Sequence, residues 1–364
     1  MKTTFKLLAA AQVLFFAALP IAATGQDAAS QMKAETEHLQ QLVAREPVTD
    51  PDWKDAKPDI EESLSAARDA LRAGRLYTAL EQLGNAQNMF LSTAATKENP
   101  EALKRGLPGF EAEWGKASIE LTALDQKARD RTWTGTPAAV IALSQSAQGR
   151  TLTLLEASRA YASVTSPAEG FYYLGEAKAS AEFASFCYGL KASSQGKPFP
   201  AHSILPELQR LQERTNAAYQ PPLSVDRHRD FIHLNATLKT AGELDAAKLY
   251  AGALYQYLLA VGQLALLRAD APNAAQEARW RQSVVAMRSR LAASKQDDSI
   301  AQLFLERVEG QLAKESLGVD NWKRVGVIVE QVLPAYFAAL QAPPPPEQPA
   351  SNSIAVTLVR WPYT

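Results

Sequence analysis

The sequence lacks the features that most directly reveal an enzyme or a disulfide-stabilised secreted domain. It contains one cysteine, Cys187, in 364 residues, which excludes an intramolecular disulfide. It has no Gly-x-Ser-x-Gly motif, no glycine-rich phosphate loop after a strand and no pair of histidines at i and i+4 on a helix. Long basic blocks are also missing, so we expect no nucleic-acid partner. The sequence alone therefore assigns no catalytic residue, no metal ligand and no cofactor.

The best arrangement for a metal lies on one predicted helix face. Asp226, Asp230 and His233 recur at i, i+4 and i+7, which places them on the same side of a helix. Two carboxylates and an imidazole can hold a divalent cation. Arginines stand between them, however, and no second cluster completes the ligand set. We therefore favour a solvated, charged helix face.

The first 25 residues have the three parts of a secretory signal peptide. Lys2 and Lys6 form a positive start, residues 7–23 carry no charge, and residues 23–25 fit the small-x-small rule for cleavage. An uncleaved membrane anchor, the alternative, requires a longer apolar run. We expect cleavage before Gln26, with cleavage after Ala23 as the alternative, and export to the periplasm or the medium. The mature chain then has 36 basic and 39 acidic residues, a net charge of about −3.

A second uncharged segment, residues 249–267, is long enough to span a bilayer. Its tyrosine and glutamine side chains would need polar partners inside lipid. Amphipathic helical segments flank it on both sides. We therefore predict a helix buried among other helices and no stable transmembrane segment after signal cleavage.

Helix-forming residues dominate the chain from residue 27 onwards. Capping residues before prolines, such as Ser166 before Pro167, mark helix starts. Because the connections are short, sequential helices should pack antiparallel. We predict an all-α fold, an antiparallel array or bundle of about a dozen helices, with an N-terminal helical region (26–200) and a C-terminal bundle (201–342). Pro334 should kink or restart the last helix. The predicted helices lie near 28–46, 58–73, 76–97, 100–131, 137–162, 167–193, 203–219, 224–241, 243–269, 272–293, 298–316 and 320–342.

Three segments around Gly74, Gly175 and Gly242 place small and apolar residues after a glycine. In this they resemble helical hairpins of the tetratricopeptide type. The glycines are 101 and 67 residues apart, close to multiples of the 34-residue repeat of that family. The resemblance covers about a quarter of the chain and implies that two helices approach closely at each glycine. A generic helical array is the alternative, which we favour because the pattern is missing around residues 141 and 208.

Aromatic residues crowd two of the predicted helices. A stripe of this kind is typical of a core. It can instead line a groove for a peptide or a glycan, because tyrosine gives flat, amphipathic contact at low entropic cost. The groove candidates are Tyr172, Tyr173, Tyr250 and Tyr255.

The C-terminal segment differs from the rest of the chain. Residues 343–349 form a proline-rich linker of polyproline type, and residues 354–361 have the composition of a short β-strand. Since a lone strand cannot satisfy its own backbone, it must pair with another protein, lie back over the helices or stay disordered. The candidate partner-binding residues are Ile354, Val356, Leu358, Val359, Trp361 and Tyr363.

These features predict an exported, non-enzymatic binding or scaffold protein of the cell envelope. Its partner would be another envelope protein, engaged through the C-terminal strand. One alternative is an envelope hydrolase acting on a glycan or peptide between helices, which a pocket with perturbed carboxylates would favour. The other is a carrier of a small apolar ligand, which a closed cavity beside the tyrosine-rich helices would favour.

Overall fold

The structure, a computed structural model, describes residues 27–47, 49–129, 131–220, 225–314 and 316–341. These residues are mostly helical and contain no β-strand, which confirms the all-α fold class. The predicted signal peptide and the C-terminal linker and strand lie outside them. The helices are α1 (Ala28–Arg45), α2 (Pro51–Arg72), α3 (Leu76–Glu98), α4 (Pro100–Lys104), α5 (Leu107–Arg129), α6 (Ala138–Val164), α7 (Pro167–Gly189), α8 (Leu205–Ala218), α9 (His228–Ala246), α10 (Tyr250–Leu266), α11 (Ala274–Ala293), α12 (Ser299–Leu312), α13 (Val319–Val327) and α14 (Leu333–Gln341), with a 3-10 turn at Val225–Arg227 and a π turn at Ile328–Val332.

Six helices pack as neighbours in the spatial order α2, α3, α7, α6, α10, α9. The consecutive pairs α2–α3, α6–α7 and α9–α10 are antiparallel hairpins with short turns. Helix α12 packs on both α3 and α6, and the α13–α14 helix packs on α10. Helix α5 covers α6 and α7. The result is the antiparallel helical array that the sequence predicts.

Two separate hydrophobic cores hold this array together. The larger core contains 58 buried residues from both the N-terminal and C-terminal regions, and the helices around it are called the body. The smaller contains ten buried residues, from α4, α5 and the ends of α6 and α7 that meet at residues 165–166. We call this second unit the tip. Helices α6 and α7 belong to both, since their other halves contribute to the larger core.

Helix α2 begins earlier than the sequence predicts, at Pro51 instead of residue 58. The Asp50 carboxylate accepts hydrogen bonds from the first backbone N–H groups, and Pro51 occupies the first helical position. Trp53 is buried against Phe90, with ring centroids 5.3 Å apart. The cap and this contact therefore stabilise a first turn that the polar sequence of residues 51–57 does not reveal.

The predicted turn at Gly242 is wrong, because α9 continues to Ala246. The chain turns instead at Lys248, which has a left-handed φ of 62°. The same turn joins α2 to α3, where Gly74 has a φ of 71°. In both turns the N–H of the following residue donates to the carbonyl five residues earlier. The distance is 2.8 Å from Arg75 N to the Ala70 oxygen and 2.9 Å from Leu249 N to the Leu244 oxygen. A lysine thus occupies a position that favours glycine.

The third glycine of the repeat-like pattern, Gly175, lies inside α7, within the predicted helix over residues 167–193. A Cβ there would come within 2.6 Å of the Leu91 carbonyl oxygen and 2.7 Å of the Ala95 Cβ on α3. The glycine therefore permits the close approach of α3 and α7. Of the three glycines, Gly74 stands at a hairpin turn and Gly175 at a close approach of two helices.

The last helix changes its hydrogen-bonding pattern just before Pro334, and its backbone stays helical there. Helix α13 continues into the π turn, and α14 begins at Leu333, whose N–H donates to the carbonyl of Ile328. The π turn ends just before Pro334, which has no N–H to donate.

Helix α10 is buried through most of its length, as predicted for residues 249–267. None of the helices in the described part of the chain is long and apolar enough to cross a membrane. Cys187 is also buried, 1 % exposed, and burial raises the pKa of its thiol. It packs in the larger core as a small apolar side chain.

Candidate functional site

The four groove candidates do not line a common groove. Tyr255 is 5 % exposed in the larger core. Tyr250 is the first residue of α10 and half-buried, and burial raises the pKa of its hydroxyl. Tyr172 and Tyr173 lie together in the tip. The six tail candidates, from Ile354 to Tyr363, lie outside the described residues.

Tyr255 belongs to a buried polar network with Glu81 and Arg307. Its hydroxyl donates to Glu81 Oε1 at 2.6 Å and accepts from Arg307 Nη2 at 2.9 Å. Arg307 also binds the Glu81 carboxylate through Nε, at 2.8 Å, and through Nη2. Burial, followed by the charge of Glu81, raises the pKa of the Tyr255 hydroxyl. The network joins α3, α10 and α12 and leaves no open surface for a substrate beside Tyr255.

Two carboxyl groups have pKa values near neutrality, as general acids and bases often do. Burial raises the pKa of Glu306 to about 7, although the hydrogen bond from the Thr78 N–H opposes the shift. That bond, 2.9 Å long, caps the first turn of α3 from α12. Burial also raises the pKa of Glu182 to about 7, with Lys178 opposing the shift and Glu35 adding to it. Glu306 has a structural role, and the two groups belong to different helices with no hydrogen bond between them.

The tip carries a surface of exposed aromatic and aliphatic side chains. Tyr161 and Tyr173 stack with ring centroids 4.3 Å apart and planes inclined by 13°. Tyr172 meets Tyr173 edge-on at 5.7 Å. Tyr161 is 41 % exposed, Tyr172 36 % and the nearby Val164 86 %. We call these four residues the aromatic surface.

The smaller core supports this surface from below. Phe110 and Phe171 are fully buried and meet edge-to-face, with ring centroids 5.2 Å apart. Gly170 brings α7 against α6, because a Cβ there would lie 2.4 Å from the Cβ of Ala162. The carbonyl oxygen of Tyr161 accepts hydrogen bonds from the N–H groups of the turn, and it lies 2.8 Å from Thr165 N. These contacts fix the backbone on which the three tyrosines stand.

Burial, reinforced by the hydrogen bond and the charge of Tyr161, raises the pKa of Tyr173 to about 12. Tyr173 therefore stays protonated at neutral pH. The tyrosine hydroxyl groups of the surface can donate hydrogen bonds to a partner while the rings supply apolar contact.

Two clefts open on the body. The first, about 370 Å³, lies between α8, the end of α10, α11 and α13, and its lining includes Arg214, Arg268 and Lys323. The second, about 480 Å³, lies between α5, α6 and α9. It also has charged walls, but its basic residues are paired. Arg129 Nε lies 2.7 Å from Asp125 Oδ2, and Lys239 Nζ lies 3.7 Å from Glu243 Oε1.

The acidic helix face considered for a metal, with Asp226, Asp230 and His233, is exposed to solvent. Within the ranges that the structure describes, no three His, Cys, Asp or Glu side chains are grouped so that they could hold a metal ion.

Sequence reasoning missed Tyr161 and Val164 of the aromatic surface. One signal could have found Tyr161. It lies one turn before the Ser166 cap, and in an antiparallel hairpin the end of α6 lies beside the start of α7, where Tyr172 and Tyr173 are. The cations of the first cleft gave no comparable signal, because they are 54 and 55 residues apart in the chain.

Comparison of the chain with protein-family models, with curated proteins and with solved structures finds no match. Its function has therefore to be inferred from its own geometry.

Proposed function

We propose that the chain is an exported, non-enzymatic binding or scaffold protein of the cell envelope, and that the aromatic surface of the tip contacts a protein partner. The exposure of Tyr161, Tyr172 and Val164 over a separate, small core carries this proposal. Exposed apolar clusters on a soluble protein mark interaction sites more often than isolated exposed residues do.

The surroundings of the surface support a protein partner over a glycan. The flat faces of Tyr161 and Tyr173 stack on each other, so one face of each ring is already covered. Val164 adds an exposed aliphatic side chain, which a protein side chain matches better than a sugar does. Six of the large hydrophobic residues exposed in the described chain lie in or next to the tip, at Leu107, Ile119, Leu124, Tyr161, Val164 and Tyr172.

The body then acts as the scaffold. Its equivalent turns at Gly74 and Lys248 support a tetratricopeptide-like helical hairpin arrangement. In this proposal the C-terminal strand, residues 354–361, is a second contact with the partner.

A photo-crosslinking residue at position 164, on the full chain expressed in its envelope, tests the partner directly. The control carries the same residue at position 285, where Val285 of α11 is 67 % exposed. We expect a discrete adduct with one envelope protein from position 164, and its loss when Tyr172→Ser is added. Identical adducts from both positions, or adducts indifferent to Tyr172, would contradict the proposal. An adduct with polysaccharide would show that the partner is a glycan and not a protein.

Export is tested separately by sequencing the N-terminus of the chain purified from the envelope. We expect the mature chain to begin at Gln26. An N-terminus at Met1 would contradict cleavage of the signal peptide. The partner of the aromatic surface would then have to be sought in another compartment.

A further inference from the structure

We propose that the first cleft binds a small organic anion through Arg214, Arg268 and Lys323. This cationic cleft shares no residue with the aromatic surface, so the inference stands apart from the proposed function. Its volume of about 370 Å³ falls within the range of small-molecule sites, about 300–1,000 Å³.

The cations come from three separate elements. Arg214 lies on α8, Arg268 follows the end of α10, and Lys323 lies on α13. Helix packing alone brings them to one cleft. Three cations against two carboxylates, Asp270 and Glu330, leave the lining with one excess positive charge, which favours an anion.

Two of the three cations have no direct partner in the described chain. Neither Arg214 nor Arg268 forms an ion pair or a side-chain hydrogen bond with any described residue. Lys323 lies 3.8 Å from Asp320, a carboxylate that is 90 % exposed, which makes this pair weak. Asp270 also lines the cleft and, like Arg214 and Arg268, is exposed and forms no ion pair within the described residues.

Glu330, the remaining acid of the cleft, is already engaged. Its Oε1 accepts from Trp280 Nε1 at 2.7 Å and from Arg279 Nη2 at 3.1 Å. Because Arg279 pairs with Glu330, the charge of this carboxylate is shared with a cation outside the cleft lining.

The wall of the cleft is tightly packed. The Trp280 ring lies against Gly326, where a Cβ would come within 2.4 Å of the ring, and Trp280 itself is 5 % exposed. Glu330 also lies on the π turn, an irregularity that often marks functional sites in helices. The packing and the π turn give the cleft a defined shape.

The expected ligand class follows from the donors. Two guanidinium groups and an ammonium group suit carboxylate or phosphate oxygens, which arginine binds in a bidentate manner. The ligand would be a small molecule with one or more such groups. The experiment therefore uses one probe of each kind, a carboxylate and a phosphate.

Isothermal titration calorimetry of the mature full-length chain, at constant ionic strength, is the test. The probes are citrate and inorganic phosphate. We expect saturable binding of at least one probe, weakened about tenfold or more by Arg268→Gln and by Arg214→Gln. The control is Arg324→Gln, which removes a neighbouring exposed cation of α13 that does not line the cleft and should leave affinity unchanged.

A spectroscopic readout accompanies the titration. The indole N–H signal of Trp280, assigned with Trp280→Phe, should shift when the probe binds. No saturable binding of either probe, equal loss in Arg324→Gln, or binding that leaves the Trp280 signal in place would each overturn the proposal. Preference for citrate assigns a carboxylate ligand, and preference for phosphate assigns a phosphorylated one.

Discussion

Tyr255 in the body and Tyr172 in the tip occupy opposite environments. Tyr255 is buried and hydrogen-bonded to Glu81 and Arg307, and the ring of Phe304 lies 6.0 Å from it. Tyr172 stands on a core of ten residues and exposes more than a third of its surface. Tyr255 thus joins three helices of the body, whereas Tyr172 lies at the surface of the tip. The same residue type joins helices in one region and, in the proposed function, contacts a partner in the other.

The two regions also differ in whether burial brings a pKa to near neutrality. The body contains Glu182 and Glu306, whose pKa values burial raises to about 7. The raised pKa in the aromatic surface belongs to a phenol, Tyr173, at about 12. Conditions that titrate the body near neutral pH should therefore leave this surface unchanged.

The largest expected effect comes from Arg307→Leu in the body. The substitution leaves the Glu81 carboxylate mostly buried without its cation, and breaking a buried pair costs about 3–5 kcal/mol. Denaturant unfolding should show this loss in the free energy of unfolding. Tyr255→Phe, which removes a single hydroxyl from the same network, serves as the milder comparison. Equal stability of Arg307→Leu and wild type would show that the network does not hold the three helices together.

Phe171→Ala should break the tip while sparing the body. Truncating a fully buried phenylalanine costs about 3–5 kcal/mol, and the small core has few other contacts to compensate. Hydrogen exchange should become faster in α5 and stay unchanged in α10. Faster exchange in both helices would mean that the two cores unfold as one unit.

A pH series distinguishes the regions by their titrating groups. Because folding raises the pKa of Glu182 above 4.5, its contribution to stability is complete below that pH and is lost as pH rises through about 7. Wild-type stability should therefore fall between pH 5 and pH 8. Glu182→Gln should flatten this slope and stabilise the protein at pH 8 by about 1–3 kcal/mol. An unchanged slope in thermal melts would contradict the assignment.

Lys248→Gly is a smaller, stabilising change within the body. Gly74 occupies the equivalent left-handed position without strain, whereas Lys248 adopts a conformation that costs about 1 kcal/mol outside glycine. The reverse change, Gly74→Lys, should destabilise by a similar amount. Thermal melts of the two variants should shift in opposite directions. Shifts in the same direction would show that the two turns are not equivalent.

Local chemistry in the sequence determines much of the fold. The apolar segment at residues 249–267 gives the buried helix, and Ser166 caps α7 as its position before Pro167 predicts. The α9–α10 turn could not be located in the same way, because Lys248 carries no turn signal. Its geometry comes from packing, in which the Gln145 side chain accepts the N–H of Gly252 at 2.8 Å.

The candidate sites were less predictable for the same physical reason. The sequence does not distinguish Tyr172 from Tyr255, because the exposure of each residue depends on which helices cover it after folding. The cationic cleft depends on three helices that meet only after folding. The two tyrosines of the aromatic surface that the sequence indicated, Tyr172 and Tyr173, follow a strong capping signal, and this signal fixes the hairpin that exposes them.

The smallest expected effect on stability tests the central claim most directly. In a chain with the photo-crosslinking residue at position 164, Tyr172→Ser should change the free energy of unfolding by less than about 0.5 kcal/mol, because the side chain is exposed. The same change should abolish the envelope adduct, while Ile232→Ser, at an exposed position of α9, should preserve it. A retained adduct, or one lost only in proportion to lost stability, would contradict the role of the tip as the binding surface.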